Sequence, residues 1–97
     1  MINHTVLFKL KEEASEDQIQ GMIDALQALS GEIDELKEIQ VKKNISDRSQ
    51  GYTVILFSLF EDKVALDRYQ VHPAHVEVVG ANVKPILESL VVADIEY

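Results

Sequence analysis

Gly51 to Phe60 reads Gly-Tyr-Thr-Val-Ile-Leu-Phe-Ser-Leu-Phe, an unbroken run rich in β-branched and aromatic residues. Such a composition favours a strand. Alternation along it puts Tyr52, Val54, Leu56 and Phe60 on one side and Ile55, Phe57 and Leu59 on the other. Both sides are apolar, so both need cover. A small chain can lay its helices over only one face of a sheet. The other face must therefore meet a partner or stay wet at a cost.

The flanking segments say which sheet this is. Met1 to Leu10 alternates, with Ile2, His4, Val6, Phe8 and Leu10 opposite Asn3, Thr5, Leu7 and Lys9, which is a half-buried strand. After the polar break Lys11-Glu12-Glu13, Ser15 and Gln18 have the spacing of a capping box. The helix that follows carries Ile19, Met22, Ile23, Leu26 and Leu29 on one face and stops at Ser30-Gly31. Leu36 to Ile45 is a weaker strand, and Ser46 to Gly51 supplies turn chemistry. Asp62 can cap a short helix holding Val64, Ala65, Leu66 and Tyr69, which must end near Val71 or His72 because Pro73 follows. Pro73 suits the first turn of a new helix over Val76, Val79 and Val83, limited by Lys84-Pro85. Leu90 to Tyr97 is the last strand, with Leu90 and Val92 opposing Val91, Ala93 and Ile95.

The order βαββαβ is the split βαβ, ferredoxin-like arrangement of an α+β protein. A single domain over residues 1–97 is expected, with a four-stranded antiparallel sheet and its helices on one face. The bare face, bearing Ile55, Phe57 and Leu59 from one strand and Val91, Ala93 and Ile95 from another, is expected to pair two copies into a homodimer.

Charge narrows the partners. Seventeen acidic residues against nine basic ones leave a net charge of −8, which repels nucleic acid and anionic membranes alike. Lys42, Lys43 and Arg48 are too few to reverse that field. Gln50 to Phe57 superficially resembles an RNA-binding octamer, yet it has no leading basic residue and Val54 replaces a stacking aromatic. No apolar run approaches the roughly 18–20 residues of a membrane span, and nothing at the N-terminus has the pattern of a secretion signal. A soluble cytoplasmic protein is the expectation. Cysteine is absent, which removes thiolate chemistry and Cys-ligated metals. His4, His72 and His75 lack an acidic residue at matching spacing, so neither a metal nor a cofactor is expected.

Chemistry gathers at Tyr69 and His72-Pro73-Ala74-His75. With Pro73 at the first helical position, His75 falls at the third, in the positive end of the helix dipole, which disfavours imidazolium. A neutral His75 can accept a proton near neutral pH. Tyr69 can present its phenol to the same cavity as a donor. His4 stands on the strand face shared with Val6 and Phe8, where a polar group needs a partner or water. His4, Tyr69 and His75 are thus the expected polar lining of a pocket between helices and sheet. Its apolar walls are expected from Val6, Phe8 and Leu56 on the strands, and from Met22, Ile23 and Leu26 on the first helix. Val78 on the later helix and Leu87, Leu90 and Val92 near the C-terminus are expected to complete it. Such a pocket admits three roles: catalysis, binding of a small hydrophobic ligand without chemistry, or none if side chains fill it.

These residues resemble a known family. Asn3 to Lys11, Gly51-Tyr52-Thr53, Phe60-Glu61, Tyr69 to Val76 and Val91-Val92-Ala93-Asp94 are similar to the stress-responsive A/B barrel domain (Dabb) family, essentially end to end. Tyr-x-x-His-Pro-x-His before a short helix is the most specific piece. The resemblance implies a ferredoxin-like subunit that pairs through its sheet into a dimeric α/β barrel. It also implies a range of roles, from plant stress-associated proteins to a polyketide cyclase that closes a ring by intramolecular aldol condensation. On that likeness the cyclase's catalytic histidine falls on His75, its tyrosine on Tyr69 and a further pocket histidine on His4. The first helix departs from the cyclase: Met22, Ile23 and Leu26 stand where it carries large aromatics. Val54 follows Gly-Tyr-Thr, where many members have a polar residue.

Overall fold

A computed structural model describes all residues, 1–97. The elements are β1 (Ile2–Leu10), α1 (Glu16–Gln27) with a 3₁₀ turn at Ala28–Gly31, β2 (Leu36–Lys43), β3 (Tyr52–Phe60), α2 (Lys63–Val71) and α3 (Pro73–Val78). A π-helical turn at Val79–Val83, a 3₁₀ turn at Lys84–Ile86 and β4 (Leu87–Glu96) complete the chain. The strands form one antiparallel sheet in the order β2-β3-β1-β4. This is the expected ferredoxin-like α+β fold, with β1 and β3 central and the helices on one face.

Local chemistry explains the boundaries. Ser15 Oγ accepts from the Gln18 backbone N–H at 3.1 Å and the Gln18 side chain accepts from the Ser15 N–H at 2.9 Å, so the capping box is complete. Asp62 caps α2 through the Ala65 N–H. α1 buries Met22, Ile23 and Leu26, and its Gln27 side chain reaches the outer edge of β2. There it donates to the Ile39 carbonyl and accepts from the Val41 N–H, both at 2.9 Å. An edge that would otherwise invite another strand is thereby occupied. Between sheet and helices lies one core of 18 buried apolar residues, among them Met22, Leu26, Val54, Phe60, Leu66 and Tyr69.

Three details differ from the sequence reading. β2 ends at Lys43, not Ile45, because Asn44 turns the chain: its side chain donates to the Tyr52 carbonyl and accepts from the Ser46 N–H. Ile45 is left 99% exposed. β4 starts at Leu87 rather than Leu90, pairing Leu87 with Leu10 as soon as the turn at Pro85 is passed. Tyr52 leaves the side of Val54, since the register slips between Phe8 and Lys9 and pairs Tyr52 with Lys9. Its hydroxyl stands 3.4 Å from Ser89 Oγ on the face away from the helices. Such a bulge costs one ladder position and turns the strand end over.

On that outer face Ile55, Phe57 and Leu59 are half-buried beside the neighbouring strands, and Val91, Ala93 and Ile95 are exposed. Leu7 lies between them, paired with Ile55 and Val91. The inner face is not fully roofed either. The helices cover β2, β3 and β1 and stop short of β4, whose residues from Leu90 onward are all exposed.

Core packing sets a measurable stability difference. Met22 is fully buried, so Met22→Ala should cost about 2–5 kcal/mol. Ile45→Ala should change stability by less than about 0.5 kcal/mol. Urea denaturation midpoints of the two variants against the parent chain check both.

Candidate active site

Where the helices stop short of β4, a cavity of about 400 Å³ opens against the inner face of the sheet. Ten of its 14 lining residues are hydrophobic. His4, Val6 and Phe8 of β1, Leu56 of β3 and Leu87, Leu90 and Val92 of β4 form the floor. The roof comes from Leu26 of α1, Tyr69 and Gln70 of α2, His75 of α3, and Val79, Val83 and Lys84 beyond it. A second cleft of about 420 Å³, beside Asp34, Glu35, Asp62 and Arg68, is charged and shallow and has no such apolar lining.

Tyr69 is carried on the inner face of α2 and is 1% exposed. Its ring packs against Phe60 with centroids 4.9 Å apart and against His75 at 4.5 Å. Burial pushes its pKa up to about 12, so the phenol stays protonated and can act as a hydrogen-bond donor.

His75 sits in the first turn of α3. Its Nδ1 lies 3.1 Å from the Gln70 carbonyl oxygen. A carbonyl can only accept, so Nδ1 carries the proton and Nε2 keeps its lone pair. The His75 pKa is lowered from 6.5, chiefly by burial. The Gln70 hydrogen bond opposes that shift, and the charges of His4 and His72 add to it. The direction agrees with the sequence reading, but the leading cause is desolvation rather than the dipole of a six-residue helix. His72 plays a different part, since its Nδ1 accepts from the Ala74 N–H at 3.0 Å and caps α3.

His4 is 5% exposed on β1, edge-on to Phe60 and to Tyr69, with centroids 6.3 and 6.4 Å away. Its Nδ1 is 2.5 Å from Asp94 Oδ1, the residue directly across on β4. An ionised carboxylate only accepts, so Nδ1–H donates and the ring orientation is fixed. Two imidazoles and a phenol thus meet at an apolar cavity, each imidazole tied through Nδ1.

The structure brings ten of the sequence-derived pocket and catalytic residues to this cavity: His4, Val6, Phe8, Leu26, Leu56, Tyr69, His75, Leu87, Leu90 and Val92. Met22, Ile23 and Val78 do not line it. Met22 is fully buried in the core, Ile23 faces a groove beside Val41 and Lys42, and Val78 is half-buried against the core beside a different groove, next to Glu32 and Pro73. Sequence patterns did not assign Gln70, Val79, Val83, Lys84 or Asp94 to the site. Asp94 could have been found from strand parity, since it follows Val92 by two on the same face as His4. Val79 stands one helical turn beyond His75 and was equally legible.

An antiparallel β2-β3-β1-β4 sheet roofed on one side, with an apolar cavity at the uncovered strand that holds a tyrosine and two histidines, defines a ferredoxin-like protein. The family model described as "Stress responsive A/B Barrel Domain" matches residues 2–97, and the chain belongs to that family, Dabb. An uncharacterised Streptomyces coelicolor protein is 36% identical over the full length of both chains. Olivetolic acid cyclase of Cannabis sativa is 29% identical, over 77% of this chain and 76% of that protein. Among solved structures, an Arabidopsis thaliana protein superimposes with a TM-score of 0.89 at 31% identity, covering 100% of this chain and 95% of that one. A Bacteroides fragilis protein described as dimeric and ferredoxin-like, of unknown function, matches at 0.86 and 26% identity, over 99% and 95% of the two chains.

The His75 environment has a signed consequence for pH. Burial disfavours the imidazolium, so below 6.5 and down to the lowered pKa the unfolded chain binds more protons than the folded one. This contribution to stability is therefore intact above about 6.5 and is lost as pH falls through that window. NMR titration should place the His75 midpoint below 6.5. His75→Gln should flatten the pH dependence of the urea midpoint on the acid side of that value.

Proposed function

We propose that the cavity performs acid–base chemistry on a small hydrophobic carbonyl compound, in the manner of a cyclase or lyase. One observation carries the reading: an imidazole with a free Nε2 and a phenol held protonated meet on one apolar cavity, their rings tilted with centroids 4.5 Å apart. His75 Nε2 removes a proton from the carbon next to a carbonyl. The electron pair left behind moves onto the carbonyl oxygen, which Tyr69 steadies by donating its O–H. The carbon then adds to a second carbonyl of the same molecule, whose oxygen takes the proton back from His75. Run in reverse, the same steps cleave a carbon–carbon bond. His4, oriented by Asp94, is a positioning group for the carbonyl end. The likeness to a protein named olivetolic acid cyclase supports this chemistry, and the family's description supports a stress-associated setting.

The proposal includes a homodimer, an α/β barrel made by two copies meeting through the outer sheet face. Its support is the apolar patch of Ile55, Phe57, Leu59, Val91, Ala93 and Ile95 and the dimeric description of the Bacteroides fragilis relative in fold. Phe57→Glu would bury a carboxylate in that interface and should yield monomers by light scattering. A parent chain that is monomeric at high concentration would remove the dimer.

Benzylacetone, a small ketone with an apolar body, tests the chemistry through exchange of its α-protons in deuterated water. The protein should accelerate exchange, and His75→Asn should remove about 10²–10⁴-fold of the acceleration. Tyr69→Phe should lose less, since water can replace a donor in a half-open site. Saturable binding with no exchange would instead assign the cavity to ligand binding alone.

A further inference from the structure

Three cavity residues that the sequence reading did not assign to the pocket, Val79, Val83 and Lys84, come from one stretch of chain. That stretch is the π turn Val79–Val83 and the first residue of the 3₁₀ turn after it. π turns are rare, and they concentrate at functional sites. On an uninterrupted α-helix Lys84, nine residues past His75, would be rotated by about 900° and stand on the opposite face. A π turn takes more residues for each revolution, so the rotation lags. Val83, four residues past Val79 and on the same side, reaches the cavity at 2% exposure, and the lag brings Lys84 to the rim.

Lys84 is the sole Lys, Arg, Asp or Glu among the lining residues, and it takes part in none of the ion pairs of the molecule. The ammonium groups of Lys9, Lys43 and Lys63 are paired with carboxylates. An unpaired cation at the mouth of an apolar cavity, in a chain of net charge −8, is a local exception to the field around it.

We propose that Lys84 is a specificity residue of this cavity, selecting ligands with a small apolar body and an anionic end such as a carboxylate. The apolar body lies against Val6, Leu56, Leu90 and Val92, and the anion meets the ammonium at the rim. This rests on the reading of the cavity as a ligand site.

Calorimetric titration with octanoate and with 1-octanol separates the two ideas. Lys84→Met should weaken octanoate by about fivefold, the scale of a partly exposed ion pair, and leave octanol within about twofold. Lys84→Arg should keep octanoate binding, and added salt should weaken octanoate in the parent chain alone. Lys84 is exposed, so these variants should fold as the parent does. Octanoate affinity unchanged in Lys84→Met would overturn the role of Lys84 and leave the ligand site standing, as would binding of octanol with none of octanoate. Binding of neither compound would overturn the ligand site and the Lys84 role with it.

Discussion

Everything in this molecule follows from a mismatch of areas: three short helices must cover a four-stranded sheet. They bury the inner faces of β2, β3 and β1, where Val41, Val54, Leu56, Phe60 and Phe8 are nearly inaccessible, and leave β4 unroofed. Hydrophobic burial rewards the first three strands strongly, by roughly 1.5–3 kcal/mol for each large side chain. Nothing in the chain remains to do the same for Leu90 and Val92. The cavity is the gap this shortage leaves.

A gap of that kind would collapse if its walls were soft. Here the floor is sheet, with β1 hydrogen-bonded on both sides, and the polar groups are tethered before any ligand arrives. His75 is held by a backbone carbonyl, His4 by Asp94, and Tyr69 by the packing of its ring between Phe60 and His75. Preorganisation of this sort lowers the cost of ordering groups around a bound molecule. The apolar lining acts in the same direction: it keeps the Tyr69 proton on its oxygen and the His75 Nε2 free of one.

The sequence made the strands, the order of elements and most of the cavity floor legible, because period-two alternation ties each residue to a face. Val6, Phe8, Leu56, Leu90 and Val92 follow from parity alone. It was less informative where periodicity breaks. Met22 and Ile23 share an apolar stripe with Leu26, and no pattern says which member of a stripe meets a hole and which meets a neighbour. Lys84 lies beyond a π turn, whose slower rotation has no signature in residue type. Tyr52 crossed to the other face through a bulge that alternation cannot foresee. Asp94 was readable from parity with His4 once the β1–β4 pairing is known, and that pairing is a tertiary fact.

The Tyr69–His75 contact depends on a single break in the chain. The two residues are six apart, so on one continuous helix they would differ by about 600° of rotation and point some 120° away from each other. They touch because Pro73 forbids that helix. The residue before a proline avoids helical backbone, and His72 is extended, with φ −62° and ψ 134°. α2 ends there, and α3 begins in a new direction with the His72 side chain as its cap. The break also leaves the Gln70 carbonyl without a continuing helix to accept, and His75 Nδ1 takes up that acceptor. His72 and Pro73 are thus not themselves part of the Tyr69–His75 pair. They are the reason that a phenol from one helix and an imidazole from the next can face the same small volume.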